Sequence, residues 1–559
     1  MSALYPPARG TGRAAEPRSR QSQLARASVG TAAGTLVSRA TGLARLVVAA
    51  YALGGGSLAD AFNLANNTPN MVHDLVIGGV LAATFVPVFI DRLATRPEAE
   101  ARESMSAVVS LAAVVLVVTT VLFVLAAPLI IDLYSFGNPR PEERAAAVIL
   151  LRFFAPQLAF YGAVSLMSAV LATRDRFAVV GFAPVLNNVI SLAVLATFAV
   201  LANSHAVTSG AILHDTGLLS FLGIGTTLGV AIQALALIPS MRRAGVSLRF
   251  VWRPHDPAVR AILALSGWTF GFVVLNQVAV FVVLALQFRL GVGNVTAYTY
   301  AYTFFQLPFG VVAVSVINVA SPGLARAHAL GRLEVMGRRF GSAIRQTLAL
   351  VLPATVGYLV LARPVVSLVL QHGAESEQAA HTTASVLALF ALGLPGFCVY
   401  FVAIRAFQAM QDTRTAFVLY ALENGVNVLL AFLLYHPLGV RGLALAYSAA
   451  YSLGALVALA ILRERLGTIG GRALVTSSAR SLLLSVAMAF IIAFLSALFG
   501  SGSGVGGWAR LIGEVLVGGL VYLGGAGLAG SLASWQTSRR LGRHMPRHKR
   551  GNGARPGGN

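Results

Sequence analysis

Apolar runs close to twenty residues long recur from residue 29 to residue 533, broken by short polar or glycine-rich stretches. About 20 such residues carry a helix across a bilayer core. Fourteen spans fit: roughly 29–54, 58–90, 105–131, 149–172, 178–202, 216–239, 260–288, 294–320, 345–370, 382–408, 415–435, 438–462, 477–499 and 509–533. The pattern predicts an all-α polytopic membrane protein with 14 transmembrane helices.

Arginine tests the count, because positive charge concentrates in cytoplasmic loops. Most of it falls in the N-terminus, 91–104, 173–177, 240–259, 321–344, 409–414, 463–476 and the C-terminus. Between these, 55–57 and 203–215 hold no Lys or Arg, 371–381 is acidic through Glu375 and Glu377, and 500–508 is uncharged. Loop 132–148 is the weakest case, with Arg140 and Arg144 offset by Asp132, Glu142 and Glu143. The bias places both termini in the cytoplasm.

The chain also repeats. "ATRDRFAVVGFAPVLNNVISLAVL" (172–195) parallels "AMQDTRTAFVLYALENGVNVLLAF" (409–432), and a shift of 237 carries Asp175 onto Asp412 and Asn187 onto Asn424. "NTPNMVHDLVIGGVLAATFVPVF" in the second span likewise answers "FQLPFGVVAVSVINVASPGLA" in the eighth. Six spans, an even number, separate the copies, so both halves share one orientation. Parallel repeats about an axis along the membrane normal are a transporter architecture, with the substrate site between them. The expected organisation is a basic tail 1–28, spans 1–6 in 29–239, spans 7–12 in 260–462, spans 13 and 14 in 477–533, and a second basic tail 534–559.

Composition agrees: 57% of the 559 residues are hydrophobic and 11% charged, with mean hydropathy +0.76. A soluble domain carries about 25% charged residues. The net charge of +22 would suit nucleic acid, but the arginines gather in alternate loops and at the ends, so no nucleic-acid partner is expected. Lys549 is the only lysine, read as the codon bias of a GC-rich genome. The tails are expected to be disordered, solvated or resting on anionic lipid. No cleavable signal is apparent. Cys398 stands alone in an apolar run and reads as a small buried hydrophobe.

The exceptions to the apolar pattern carry the candidate chemistry. Residues 36–74 hold Arg39, Arg45, Asp60, His73 and Asp74, although a charge at the bilayer centre costs at least about 2.5–3.5 kcal/mol. Arg39 and Arg45 lie about 120° apart around an ideal helix and can line one broad face. Pro69 interrupts the second span before His73 and Asp74, which is tolerated where a helix lines a wet cavity. Snorkelling at the membrane edge is the competing reading, better for Arg45 than for mid-span Arg39. Arginine's planar fork pairs with phosphate in two places and keeps its charge, so a polar cavity for an anionic, diphosphate-bearing substrate is expected. In span 11, Glu423 and Asn427 share a helix face. They read either as oxygen ligands of a coupling cation or as a protonated acid hydrogen-bonded between helices. Small-residue runs such as "GTAAG" read as helix packing. There is no Walker motif, no HExxH and no Ser/His/Asp arrangement, so neither ATP drive nor hydrolysis is expected.

"SRATGLARLVVAAYALGGGSLADAFNLANNTPNMV…GGVLAATFVPVF" resembles the N-terminal signature of the MurJ/MviN family of lipid II flippases. "LVLQHGAESEQAAHTTASVLALFALGLPG…IRAFQAMQDTRTAF" resembles that family's F-x-R/Y-G-x-F loop and its later FYA-x-x-D-T-x-T-P element. The likeness covers about residues 25–465, and the last two spans match in hydropathy alone. It implies the fold of the multidrug/oligosaccharidyl-lipid/polysaccharide exporter superfamily: two six-helix lobes in a V around a cationic cavity, plus two extra helices framing a lipid-facing groove. The family's cavity arginines fall on Arg39 and Arg45, and its essential aspartate on Asp60, expected to orient one of those arginines. Three positions depart: His73 and Thr303 replace arginines, and Gly78 stands where an acid is usual. His73, once protonated, restores part of one charge.

The resemblance implies a plasma-membrane flippase, not an enzyme, moving undecaprenyl-diphosphate-linked peptidoglycan precursor to the outer leaflet by alternating access. It needs no cofactor, and Na+ or H+ coupling at Glu423 and Asn427 is expected. Membrane lipids and cell-wall synthesis or division proteins are the further partners. An exporter of another lipid-linked glycan or drug, an intramembrane glycosyltransferase and a degenerate paralogue serving as an envelope scaffold are the alternatives. A drug exporter would favour an aromatic, acidic pocket; a transferase would need a long catalytic outer loop, which 371–381 is not.

Overall fold

The computed structural model describes residues 18–74, 97–135, 140–172, 177–202, 207, 210–245, 249–257, 259–260, 267–499 and 504–543. They form sixteen α-helices and no strand: α1 (Arg18–Leu53), α2 (Ser57–His73), α3 (Glu98–Ser135), α4 (Pro141–Phe154), α5 (Gln157–Ala172), α6 (Phe177–Leu201), α7 (Thr216–Arg243), α8 (Gly267–Arg289), α9 (Asn294–Pro308), α10 (Val314–Ala329), α11 (Leu333–Leu370), α12 (Glu377–Ala409), α13 (Thr413–Leu438), α14 (Val440–Leu466), α15 (Gly471–Phe499) and α16 (Gly504–Arg543). Twelve described helical stretches are long and apolar enough to cross a membrane. The first expected span is helical as α1, and the second is described only through Asp74, which is π-helical. Fourteen remains the hydropathy reading of the whole chain.

Three local expectations are corrected. The basic tails are partly helical: α1 begins at Arg18 and α16 runs to Arg543. Arg, Gln, Leu and Ala favour helix without an apolar pattern, so hydropathy does not see these extensions. Span 4 begins at Pro141 and is broken at Ala155–Pro156 into α4 and α5. Span 8 contains a π-helical turn at Phe309–Ala313, directly after Pro308, which joins α9 to α10.

Helix ends are marked by their own residues. Side chains of Asp215, Ser376 and Asp412 accept from backbone N–H groups three residues on, starting α7, α12 and α13. Arg465 also pairs with Asp412 and donates to Thr415 Oγ1 at 2.9 Å, tying α14 to the start of α13.

The packing carries the repeat. α1 lies on α6 as α8 lies on α13, and α6 on α7 as α13 on α14. α2 meets α4 as α9 meets α12, and α5 meets α7 as α12 meets α14. Each pairing thus recurs six spans later. α15 packs on α11, and Tyr522 of α16 donates to the Ala349 carbonyl at 2.5 Å. Outward faces of α3, α15 and α16 expose Leu125, Phe490 and Leu520, as lipid contact requires.

Within the second half, Phe305, Phe390, Phe397, Tyr447 and Tyr451 pack ring on ring. Cys398 is buried in the same core, as its apolar setting predicts. Close approach of α12 and α14 depends on missing side chains. A Cβ on Gly393 would stand 2.4 Å from Ser448 Cα, and one on Gly396 2.7 Å from Ser452 Cα. Gly393→Ala is therefore expected to cost about 1–3 kcal/mol by overpacking and to lower the unfolding midpoint in detergent. Gly357→Ala, with open space around it, is expected to leave that midpoint unchanged or slightly raised.

Candidate functional site

A cavity of about 550 Å³ lies between the two repeats. α1 contributes Arg45, and α2 lines it with Asn63, Asn66, Asn67 and Asn70. α8 adds Asn276, Gln277 and Gln287, while α9 adds Tyr298, Tyr302 and Thr303. Glu423 and Asn427 of α13 and Tyr447 and Tyr451 of α14 close the far side. Amides and phenols supply most of the polar groups of the wall, between apolar side chains such as Leu46, Phe62, Val283 and Leu284. Arginine is confined to one side, where Asp74 also lies, and Glu423 to the other.

Four of the expected site residues meet here: Arg45, Thr303, Glu423 and Asn427. Thr303 spends its hydroxyl on the Thr299 carbonyl at 2.9 Å, so it supplies no substitute for a cation. Glu423 is buried and accepts from Asn424 Nδ2 at 3.0 Å; Asn427 Oδ1 is buried without a donor.

Arg39 and His73 do not line this cavity. Arg39 is exposed, and its guanidinium lies against the π turn of span 8. A Cβ on Gly310 would come within 3.0 Å of its Nη2, so glycine leaves the place the arginine fills. His73 is held by Asp74 Oδ1 at 3.2 Å and Ser165 Oγ at 3.1 Å, beside the Tyr161 ring. Gly78 lies outside the described residues.

Asp60 corrects the expectation that it orients an arginine. It is fully buried at the end of the bundle carrying the α1–α2 and α8–α9 turns, the outer end in the arginine-based orientation. Its Oδ2 accepts from Gly293 N at 2.6 Å, and its Oδ1 from Thr296 N at 2.8 Å and Thr296 Oγ1 at 2.7 Å. Asn63 Nδ2 adds a bond to Thr296 Oγ1 at 3.1 Å. The carboxylate caps α9 from the opposite repeat, a stronger use of a buried charge than a solvated ion pair.

Two more contacts shut this end. Arg140, bonded to Glu143 Oε2 at 2.5 Å, donates to the Phe288 carbonyl and lies 4.3 Å over the Phe288 ring. The turn after α11 sits on the turn after α1: Ala374 N donates to Tyr51 O at 3.0 Å. Gly54, with φ +67°, allows this approach, because a Cβ there would meet the Ala374 carbonyl oxygen at 2.5 Å. The cavity is therefore shut at this end of the bundle by three contacts between the repeats.

The asparagines of α2 and the partners of Asp60 were not singled out from sequence. Asn63, Asn66, Asn67 and Asn70 recur at i, i+3, i+4 and i+7, a polar stripe on an apolar helix that was there to be read. Nothing local links Asp60 to Thr296, 236 residues away.

Residues 49–509 match the family model described as lipid II flippase MurJ. The chain belongs to the MurJ family of lipid II flippases. It is 31% identical over 441 residues to a probable lipid II flippase MurJ of Rhizobium meliloti (strain 1021), covering 78% of this chain and 79% of the relative. A probable lipid II flippase MurJ of Vibrio cholerae is 27% identical, covering 76% of this chain and 80% of the relative. Among solved structures, a lipid II flippase MurJ in an inward closed conformation superposes with TM-score 0.72 at 22% identity, covering 89% of this chain and 98% of that one. An inward-facing multidrug resistance MATE family transporter superposes with TM-score 0.63 at 16% identity, covering 78% and 96%. MurJ membership and the twelve apolar helices make this a multi-pass inner-membrane protein.

In this MurJ-family chain, Asp60→Ala would leave the Gly293 and Thr296 donors unsatisfied, at about 1–3 kcal/mol. The expected outcome is an outer end that opens about tenfold or more often, read as faster labelling of a cysteine placed at Ser57. Asp60→Asn, which keeps one acceptor, is expected to fall between.

Proposed function

We propose that this chain moves lipid II, or a closely similar polyprenyl-diphosphate glycan, from the inner to the outer leaflet by alternating access. One observation carries the reading: a cavity between two packing repeats, with amide, phenol and arginine groups in its wall, shut at one end by contacts that cross from repeat to repeat. Such a cavity serves transport when the closed end can part and the open end can close. Family membership names the substrate class, and the geometry supplies the route.

Arg39 and Arg45 are the anion-binding groups of this proposal. Arg45 lies in the cavity wall, and Arg39 lies lower on α1 against span 8. Among the described residues neither has a carboxylate within ion-pair distance, which leaves both forks for a diphosphate. No covalent chemistry is required of the protein. Drive comes from the membrane potential or from Na+ or H+ acting at Glu423, with the unfilled acceptor Asn427 Oδ1 beside it in the cavity. Both termini face the cytoplasm, so the Asp60 closure faces outward.

Orientation is read from labelling in intact cells: cysteines at Ser57 and Ser503 react with an impermeant reagent and one at Gly331 does not. The reverse result refutes the assignment of the outer end.

Function is read from outer-leaflet lipid II in cells relying on each variant. Losing a charge-assisted contact of about 1.5–3 kcal/mol makes Arg39→Ala at least about tenfold slower, with the protein still in the membrane. Arg39→Lys recovers part of the loss, since a point charge does not reproduce the planar fork. His73→Arg is tolerated. Undiminished flipping by Arg39→Ala eliminates the cationic route. Glu423→Gln is expected to change the sodium or pH dependence of transport without altering the folded yield; unchanged ion dependence removes Glu423 from coupling.

A further inference from the structure

The turn between α11 and α12 carries a carboxyl group that the transport route does not use. Glu375 is only 6% exposed, and neither of its oxygens has a hydrogen-bond partner. It rests on Gly55, where a Cβ would stand 3.1 and 3.2 Å from the two oxygens. Tyr51 of α1 anchors the turn through Ala374, so Glu375 is buried only while the repeats touch at the outer end.

The groups facing it offer no compensating charge. Asp60 of α2 is close enough to act on it electrostatically, and so is the buried Tyr300 of α9. Glu143 of α4 acts on Asp60 in turn, and Arg140 is engaged by Glu143 and the Phe288 carbonyl. On the same turn His372 is exposed, and Glu377 lies 3.8 Å from Arg363. An ionised Glu375 would stand unpaired beside other acids, a costly burial. A metal ion does not fit: among the described residues no three His, Cys, Asp or Glu side chains are placed to hold one. Both Asp60 oxygens are already occupied by α9. A proton is the ligand that removes the charge without further partners.

We propose that Glu375 is a proton-binding site that latches the outer end: closed, the carboxyl keeps its proton, and opening wets the turn and releases that proton to external water. The O–H bond broken on opening is remade from external water on closing, so the latch reads outside acidity and carries no net proton across. It rests on the alternation proposed above.

Burial first, and then the charge of Asp60, push the closed-state carboxyl from its usual 4.5 up to about 8. The closed form therefore binds the proton more tightly, and acid favours it. Its advantage is complete at pH values below the open-state titration and is lost as pH rises toward 8. Across that window the closed-to-open balance falls by up to about tenfold per pH unit.

Spin labels on cysteines at Ala145 of α4 and Gln378 of α12, both exposed at the outer end, report the opening as a distance distribution in nanodiscs. Between pH 5 and 8.5 the long-distance population is expected to grow with pH. In Glu375→Gln, which mimics the protonated group, that growth is expected to be much smaller, the remainder coming from the buried acids Asp60 and Glu143 of the same seam, with unchanged thermal stability. In His372→Asn the pH response is expected to persist, which separates it from imidazole titration. A distribution that ignores pH, or that shifts equally in Glu375→Gln, overturns the proposal. Asp60→Ala tells this failure from failure of alternation: if it lengthens the distance while pH has no effect, the outer end opens but carries no proton latch. If it too stays short, alternation fails and the latch with it.

Discussion

One carboxylate serves the positive ends of two helices. Asp60 lies in the first turn of α2 and accepts from the first turn of α9, its counterpart in the repeat. Two helix N-termini brought together would repel, since each carries about half a positive charge. Placed between them, a single negative side chain turns that repulsion into attraction and satisfies three donors at once. The bonds lie at the seam between the repeats, where relative movement must break them. Stability of the closed state and the barrier to opening are thereby set in the same place.

Hydropathy displayed the spans because a bilayer demands long apolar helices and arginine betrays the loops. It could not display where helices overrun the membrane, as α1 and α16 do, because propensity rather than polarity governs those ends. Arg45, Glu423 and Asn427 were legible as polar exceptions in apolar runs, and the structure brings them into one cavity. Arg39 was legible as a charge, but its place against Gly310 depends on a turn geometry without a composition of its own. The role of Asp60 was illegible for a different reason: its partners are backbone groups, which every sequence possesses. Glu375 was visible as a loop acid, yet its burial follows from Gly55 across the seam, so neither residue shows it alone. In the loop pattern F-x-R/Y-G-x-F, this glutamate falls on the last aromatic position, as Leu370 falls on the first.

The chemistry of the cavity wall has its own logic. Amides are the commonest polar groups in it, and fixed charge is sparse and divided between its sides. An anion entering such a space finds many neutral donors of similar strength and few deep traps. Passage through a membrane protein needs binding good enough to admit the substrate and weak enough to let it go.

The π turn at Phe309–Ala313 closes its hydrogen bonds over five residues where an α-helix uses four, so span 8 contains one residue more than a regular helix of equal rise. Everything after it, from Val314 to Ala329, is rotated by about 100° from the bearing an unbroken helix would give it. The bearing of that whole segment is thus set by one residue of length: a one-residue deletion within the turn would swing every later side chain of span 8 to a neighbouring face and move Gly310 away from Arg39.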